Sequence, residues 1–120
     1  MKVKLDSNQR MAAMTFATVY PLYVAKIESK GRNVNELHHI IEWLTGFNRE
    51  DITRLIHENV NFEVFFSQAK LNENADKITG GICGCRVEEI ENPLTRKIRM
   101  LDKIVDELAR GKTLDKICRV

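Results

Sequence analysis

A short cysteine pair, Cys83-Gly84-Cys85, is the first feature of this sequence that could support chemistry. Zinc sites usually separate their first two thiolates by roughly two to four residues and need two further ligands, whereas one residue intervenes here. Arg86 follows the pair directly and could favour a thiolate at Cys85, which would make it reactive. The alternative, which we favour, is that both cysteines are small buried side chains in a glycine-rich turn. We predict no metal site and no cofactor.

Glycines precede and interrupt this pair in the pattern Gly80-Gly81-x-x-Gly84. The common phosphate-binding loop ends in Lys followed by Ser or Thr, and it begins a helix after a buried strand. This segment has neither feature. We therefore interpret its glycines as residues of a tight turn or of a close contact between two backbone segments.

Three carboxylates follow within the run from Arg86 to Glu91. Paired carboxylates can divide acid and base roles, or bind a cation, when they converge in a cleft. A run of this kind is more often a solvated face, and Glu91 could simply favour the positive end of a following helix. We keep Arg86, Glu88 and Glu89 as candidate binding residues.

A second polar and aromatic group, Tyr20, Tyr23 and Lys26, recurs at helical spacing. These side chains could stack on a ligand or bind an anion, or the tyrosines could lie at the edge of the core. Trp43, the only tryptophan, lies one position from an apolar stripe, either at the rim of the core or as an interface anchor. No Ser-His-acid or Cys-His arrangement can be assigned, so the catalytic residues stay unknown. The candidate ligand or partner residues are Tyr20, Tyr23, Lys26, Trp43, Cys83, Arg86, Glu88 and Glu89.

A long helix between Asn92 and Gly111 is the clearest structural element. Asn92 can cap it, Pro93 suits its first position, and Gly111 fits the left-handed residue after its end. Apolar residues recur between them at spacings of three and four, which predicts a buried seam. The seam comprises Leu94, Ile98, Leu101, Ile104, Val105 and Leu108.

Apolar stripes and capping residues predict the other helices. Pro21 interrupts a stripe that begins at Phe16. Either the helix kinks there, or it begins near Thr18 or Tyr20 with Pro21 in its first turn, and we expect its well-ordered part over residues 21–30. Asn33, Asn48 and Asn61 begin three more helices, the first with a capping box. A last short helix follows Thr113.

Two segments lack a clear helical pattern. Residues 1–13 have no apolar periodicity, so we expect a loose arm before a single domain over residues 14–120. Between residues 71 and 91, glycines and asparagines oppose a regular helix. The sequence there allows either short extended pieces around Ile82 and Val87 or a short helix over residues 87–90.

Composition restricts the class of protein. The chain has 120 residues, 43% hydrophobic and 30% charged, as in an ordinary globular domain. It shows no export signal and no apolar run long enough to cross a membrane, and three cysteines make an odd number for a disulfide framework. We therefore expect a cytoplasmic protein with reduced thiols. The net charge of +2 does not support a dedicated nucleic-acid binder.

Several dispersed blocks, taken together in their order and spacing, are distinctive. They are residues 19–26, Trp43-Leu44-Thr45-Gly46, Ile78-Thr79-Gly80, Cys83-Gly84, residues 86–91, Pro93-Leu94, Leu101-Asp102-Lys103, residues 106–109 and Gly111-Lys112. These blocks resemble the small bacterial proteins grouped as domain of unknown function 2200. The resemblance covers the chain from about Met14 to its C-terminus and implies a compact bacterial cytosolic protein without an assigned activity. Cys85 and Gly81 depart from the aliphatic residues expected of this family.

We predict an all-α, compact single-domain bundle of five or six helices, with an irregular Gly-containing segment before a long C-terminal helix. The leading function is a non-enzymatic binding or protein-interaction module, because nothing compels catalysis and the charge is segregated along the chain. Residues 33–92 carry five basic and eleven acidic residues, and both flanking regions are basic. We expect self-association or a protein partner. The alternative is a small enzyme or ligand-binding protein with a pocket between the Tyr20–Lys26 helix and the Cys83–Glu91 segment.

Overall fold

The structure is a computed structural model that describes residues 6–119. Within that range it contains seven α-helices, one short hairpin and two turns of 3₁₀-helix, over Ala75–Lys77 and Val87–Glu89. This arrangement confirms the all-α class and the irregular segment before the long helix. The elements are α1 (Ser7–Ala13), α2 (Phe16–Glu28), α3 (Val34–Thr45), α4 (Arg49–His57), α5 (Phe62–Gln68), β1 (Gly81–Ile82), β2 (Cys85–Arg86), α6 (Pro93–Ala109) and α7 (Leu114–Ile117).

Local capping fixes the starts of α3 and α4, as the sequence predicts. The side chain of Asn33 accepts the backbone N–H of Glu36, whose carboxylate accepts the Asn33 N–H in return. Asn48 caps α4 in the same reciprocal way, which satisfies two otherwise unpaired donors at each helix start. Gly46 ends α3 in the left-handed conformation, with φ of 78°.

Helix α2 begins five residues earlier than expected, at Phe16. The Thr15 hydroxyl accepts the Thr18 N–H, and the Phe16 N–H donates to the Val60 carbonyl at 3.0 Å. Pro21 therefore lies inside the helix rather than in its first turn. Pro21 has no backbone N–H, so the helix lacks one hydrogen bond there. Packing of the fully buried Phe16 side chain stabilises the first turn and offsets that loss.

The N-terminal segment corrects the expectation of a loose arm over residues 1–13. Asp6 and Gln9 form a capping box that begins helix α1, which accounts for the helix beyond the expected six. None of its residues is fully buried, so it lacks the apolar stripe that would have predicted it. α1 packs on α5 and α6. Residues 1–5 lie outside the described range.

Helix α6 lies at the centre of the core and packs against α1, α2, α3 and α5. The predicted seam is buried apart from Leu94, which is half-buried. A phenylalanine cluster extends this core, with the rings of Phe16 and Phe65 stacked at 4.6 Å. Thus one continuous apolar cluster joins the helices.

The glycine-rich segment forms a hairpin in which Gly81 pairs with Arg86 and Ile82 with Cys85. Its two-residue loop, Cys83-Gly84, has positive φ at both positions, 49° and 81°. Such a loop is typical of tight hairpins whose twist matches that of the flanking strands. This conformation agrees with the tight turn that the sequence predicts, but neither cysteine is buried as expected: Cys83 is exposed and Cys85 is half-buried.

Candidate functional site

A cleft of about 330 Å³ lies between α2, α6 and the β1–β2 hairpin. Its size is within the range of small-molecule sites, and most of its lining is apolar. Two exposed apolar side chains, Leu22 and Met14, flank it. The cleft is lined by Met11, Met14, Val19, Leu22, Tyr23, Lys26, Phe62, Ile82, Cys83, Ile98, Arg99, Asp102 and Val105.

Two polar contacts join α2 to α6 along one side of the cleft. The Tyr23 hydroxyl donates to Oδ1 of Asp102 at 2.5 Å. One turn further along α2, Nζ of Lys26 lies 3.0 Å from Oδ1 of Asp106. The spacing of three residues on α2 and four on α6 places both pairs on the facing sides of the two helices.

The Asp102 carboxylate is fully engaged by its neighbours. Its Oδ2 atom accepts from Nη1 of Arg99 at 3.1 Å, while Tyr23 occupies Oδ1. Burial and the adjacent Asp102 carboxylate raise the pKa of Tyr23 well above its usual value, so the phenol stays protonated and donates its hydrogen. The Asp102 carboxylate is thus held by one hydroxyl donor and by the positive charge of Arg99.

Side chains of α6 and of the hairpin itself hold the hairpin beside the cleft. Lys103 donates from Nζ to the carbonyl oxygen of Gly81 at 3.0 Å. Glu88 accepts the backbone N–H of Gly80 at 2.9 Å, and it also pairs with Arg86. The bond from the Gly80 N–H, with Arg86 beside it, lowers the pKa of Glu88. Glu88 thus supports the hairpin and does not line the cleft.

A more open depression of about 620 Å³ adjoins the cleft and shares Lys26, Ile82 and Cys83 with it. Arg86 and Glu89 line this depression. Of the candidate residues predicted from the sequence, the structure therefore brings Tyr23, Lys26 and Cys83 together at the cleft and places Arg86 and Glu89 next to it.

Tyr20 lies away from the cleft and contacts α3. Its hydroxyl is 2.6 Å from Nε2 of His38, and the two rings meet edge to face. The Nδ1 atom of His38 is buried and has no hydrogen-bond partner within residues 6–119. Burial, together with the positive charge of Arg49, lowers the pKa of His38. The pair is therefore a neutral hydrogen-bonded contact between two helices.

Trp43 is also separate from the cleft. It lines a different depression, together with His39, Lys70 and Arg119, and it packs half-buried against the core. This geometry corresponds to a residue at the rim of the core, which is one of the two interpretations that the sequence offered for Trp43.

Sequence reasoning missed Arg99 and Asp102, together with the apolar wall at Met11, Met14 and Leu22. Asp102 lies within one of the blocks that carried the family resemblance, which was the one available signal. Its partner Tyr23 is 79 residues away, so their contact required the packing of α2 on α6.

Metal-binding clusters and membrane-spanning helices are both absent from residues 6–119. No group of three His, Cys, Asp or Glu side chains that could hold a metal ion was found there. In the same part of the chain, every helix is too short or too polar to span a bilayer.

The fold and the cleft define a small helical protein with a largely apolar, preformed cavity at one side of its central helix. The chain belongs to the family described as an uncharacterized protein conserved in bacteria (DUF2200), which matches residues 10–119. A solved structure, described as the crystal structure of uncharacterized protein SP1917, is similar, with 42% sequence identity and a TM-score of 0.84. The match covers 91% of this chain and 90% of that one. A search of the curated proteins gave no match.

Proposed function

We propose that this chain is a non-enzymatic binding protein that holds a small, largely apolar molecule in the cleft between α2, α6 and the hairpin. The observation that carries the proposal is a cavity of about 330 Å³ with apolar walls and a few convergent polar groups, since this combination is the usual form of a ligand site. Leu22 is 63% exposed, so a ligand would cover apolar surface that otherwise faces water.

The positions of the histidines support binding over catalysis. A thiol nucleophile needs a base within hydrogen-bond reach. Cys83 reaches the cleft, but within the described chain His38 bonds to Tyr20 and His39 lines the depression around Trp43. His57 ends α4, an element that supplies no lining residue. If the protein were an enzyme that uses Cys83, a residue other than histidine would thus have to act as the base.

A neutral fluorescent probe, N-phenyl-1-naphthylamine, tests the proposal because its emission rises in an apolar site. We expect saturable binding of one probe molecule per chain. Leu22→Asp places a charge on the cleft wall and should weaken binding about tenfold, since a buried leucine side chain contributes about 1.5–3 kcal/mol. The matched control is Val64→Asp, an exposed apolar residue on α5 outside the cleft lining.

The proposal fails if the probe shows no saturable binding. It also fails if both substitutions reduce binding equally, because binding would then follow general surface hydrophobicity rather than the cleft.

Self-association is the second candidate, and one observation favours it. Met14 and Leu22 are 43% and 63% exposed and both line the cleft, and exposed apolar surface of this kind also occurs at interfaces. Sedimentation velocity over a concentration series distinguishes the two. A dimer that Leu22→Asp dissociates and Val64→Asp preserves would support a second copy as the occupant, whereas a monomer at all concentrations would exclude it.

We also propose that the protein acts in the bacterial cytoplasm. Cys83, Cys85 and Cys118 are all free thiols, which supports a reducing compartment.

A further inference from the structure

We infer that the occupant of the cleft is a singly charged apolar anion, namely a carboxylate on an apolar chain, whose head group lies beside Arg99. The inference rests on the proposed binding function and specifies its ligand class. It follows from the charges that line the cleft, the unused donors of one arginine and the position of the apolar wall.

Each cation that lines the cleft already pairs with one carboxylate, Lys26 with Asp106 and Arg99 with Asp102. Lys26 and Arg99 are its two cationic lining residues, and Asp102 is the one carboxylate among its described lining residues. Both oxygens of Asp102 already accept hydrogen bonds. A cationic head group would therefore meet two like charges and no free oxygen on Asp102, whereas an anionic head group would meet the remaining donors of Arg99.

Arg99 has the donors that such a head group requires. Its side chain is 24% exposed, and within residues 6–119 its guanidinium bonds only through Nη1, to Asp102. An arginine has five N–H donors in a fixed planar arrangement, so most of them remain available. Asp102 holds the group in place, and the two oxygens of a planar carboxylate match the geometry of its N–H donors.

The apolar lining residues fix the opposite end of the ligand. Met11 and Met14 lie on and just after α1, and Leu22 projects from α2 with 63% of its surface exposed. Methionine side chains adapt to irregular apolar shapes. An apolar chain that extends from Arg99 would cover these three side chains.

Three probes of equal chain length test the inference by isothermal titration calorimetry: octanoate, 1-octanol and octylamine, which is a cation at neutral pH. We expect octanoate to bind about tenfold more tightly than 1-octanol, because a charge-assisted hydrogen bond is roughly twice as strong as a neutral one. Octylamine should bind more weakly than either.

Substitution of two arginines, Arg99 on α6 and Arg110 directly after its end, locates the head group. Arg99→Gln should lower octanoate affinity about tenfold, to the level of 1-octanol, and leave 1-octanol binding unchanged. Unchanged binding of 1-octanol also shows that the variant is folded and that its cleft is intact. Arg110→Gln is the matched control, because Arg110 also pairs with an aspartate on α6 but lines only the more open depressions. It should change neither affinity.

The failure of this inference is distinguishable from failure of the proposed function. If octanoate and 1-octanol bind equally well and Arg99→Gln changes neither, the cleft binds apolar molecules but does not select anions. If octylamine binds most tightly, the assigned charge is wrong. If none of the three binds and N-phenyl-1-naphthylamine also fails to bind, the proposed function itself is overturned.

Discussion

Removal of the Tyr23 hydroxyl tests the contact that joins α2 to α6 beside the cleft. Tyr23→Phe keeps the ring, which is 7% exposed, and deletes one hydrogen bond to the Asp102 carboxylate. Hydrogen bonds to charged groups contribute about 1.5–3 kcal/mol. Asp102 keeps Arg99 on its other oxygen, and its side chain is 19% exposed, so water can reach the vacated position. We therefore expect a loss of about 1.5–2 kcal/mol.

Urea denaturation followed by circular dichroism and by the fluorescence of Trp43 measures this loss. A loss of this size should lower the Tm by roughly 6–8 °C in a domain of this length. A double-mutant cycle with Asp102→Ala isolates the bond: without the carboxylate, Tyr23→Phe should cost nothing, because no hydrogen bond remains to be lost. An equal cost in both backgrounds would refute the assigned partner.

Tyr23→Phe should also change how the stability of the protein depends on alkaline pH. Because the pKa of Tyr23 is raised in the folded protein, its contribution to stability is present below about pH 10 and is lost as the pH rises above that value. Tyr23→Phe should therefore lose less stability than the wild type between neutral and strongly alkaline pH.

Three further predictions concern single positions elsewhere in the fold. His38 has a lowered pKa and a buried Nδ1 without a hydrogen-bond partner among the described residues, so the free energy of unfolding should fall as pH decreases below about 6.5. Urea titrations should show a smaller fall for His38→Gln, and an equal pH dependence in both proteins would contradict the prediction. Cys83→Asn should raise the free energy of unfolding by about 0.5–1 kcal/mol, because asparagine adopts a positive φ more readily than cysteine does. A lower denaturation midpoint would contradict a positive φ at this loop position. Gly46→Ala should lower the free energy of unfolding by about 1 kcal/mol or more, because Gly46 has a φ of 78°. An unchanged Tm would argue against this C-cap.

Local signals predicted the parts of the fold that depend on neighbouring residues. The capping box of Asn33 with Glu36 and the cap at Asn48 act within one helix turn, so both could be inferred directly from the sequence. The bond that the Asp51 carboxylate accepts from the Asn48 N–H was not predicted. The seam of α6 was equally clear, because its apolar spacing matches one helix face.

The start of α2 and the existence of α1 could not be predicted in this way. The first turn of α2 depends on a bridge between Thr15 and Asn61 and on backbone bonds to the segment before α5. Helix α1 has no fully buried residue, so no apolar period marks it.

The candidate site was predictable only in part. Tyr23, Lys26 and Cys83 stood out by residue type, and the structure places all three at one cleft. Arg99 and Asp102 resembled any charged pair on a solvated helix face. Their place in the cleft is set by the packing of α2 on α6, which a single sequence does not specify.

Methionine methyl NMR with octanoate as the probe tests the central claim most directly, because the chain contains four methionines and two of them line the cleft. Met11 and Met14 should shift progressively with added octanoate, while Met100, which is buried in the core and outside the cleft lining, should not move. Unchanged Met11 and Met14 signals at saturating octanoate, or an equal shift at Met100, would contradict a binding site between α2, α6 and the hairpin.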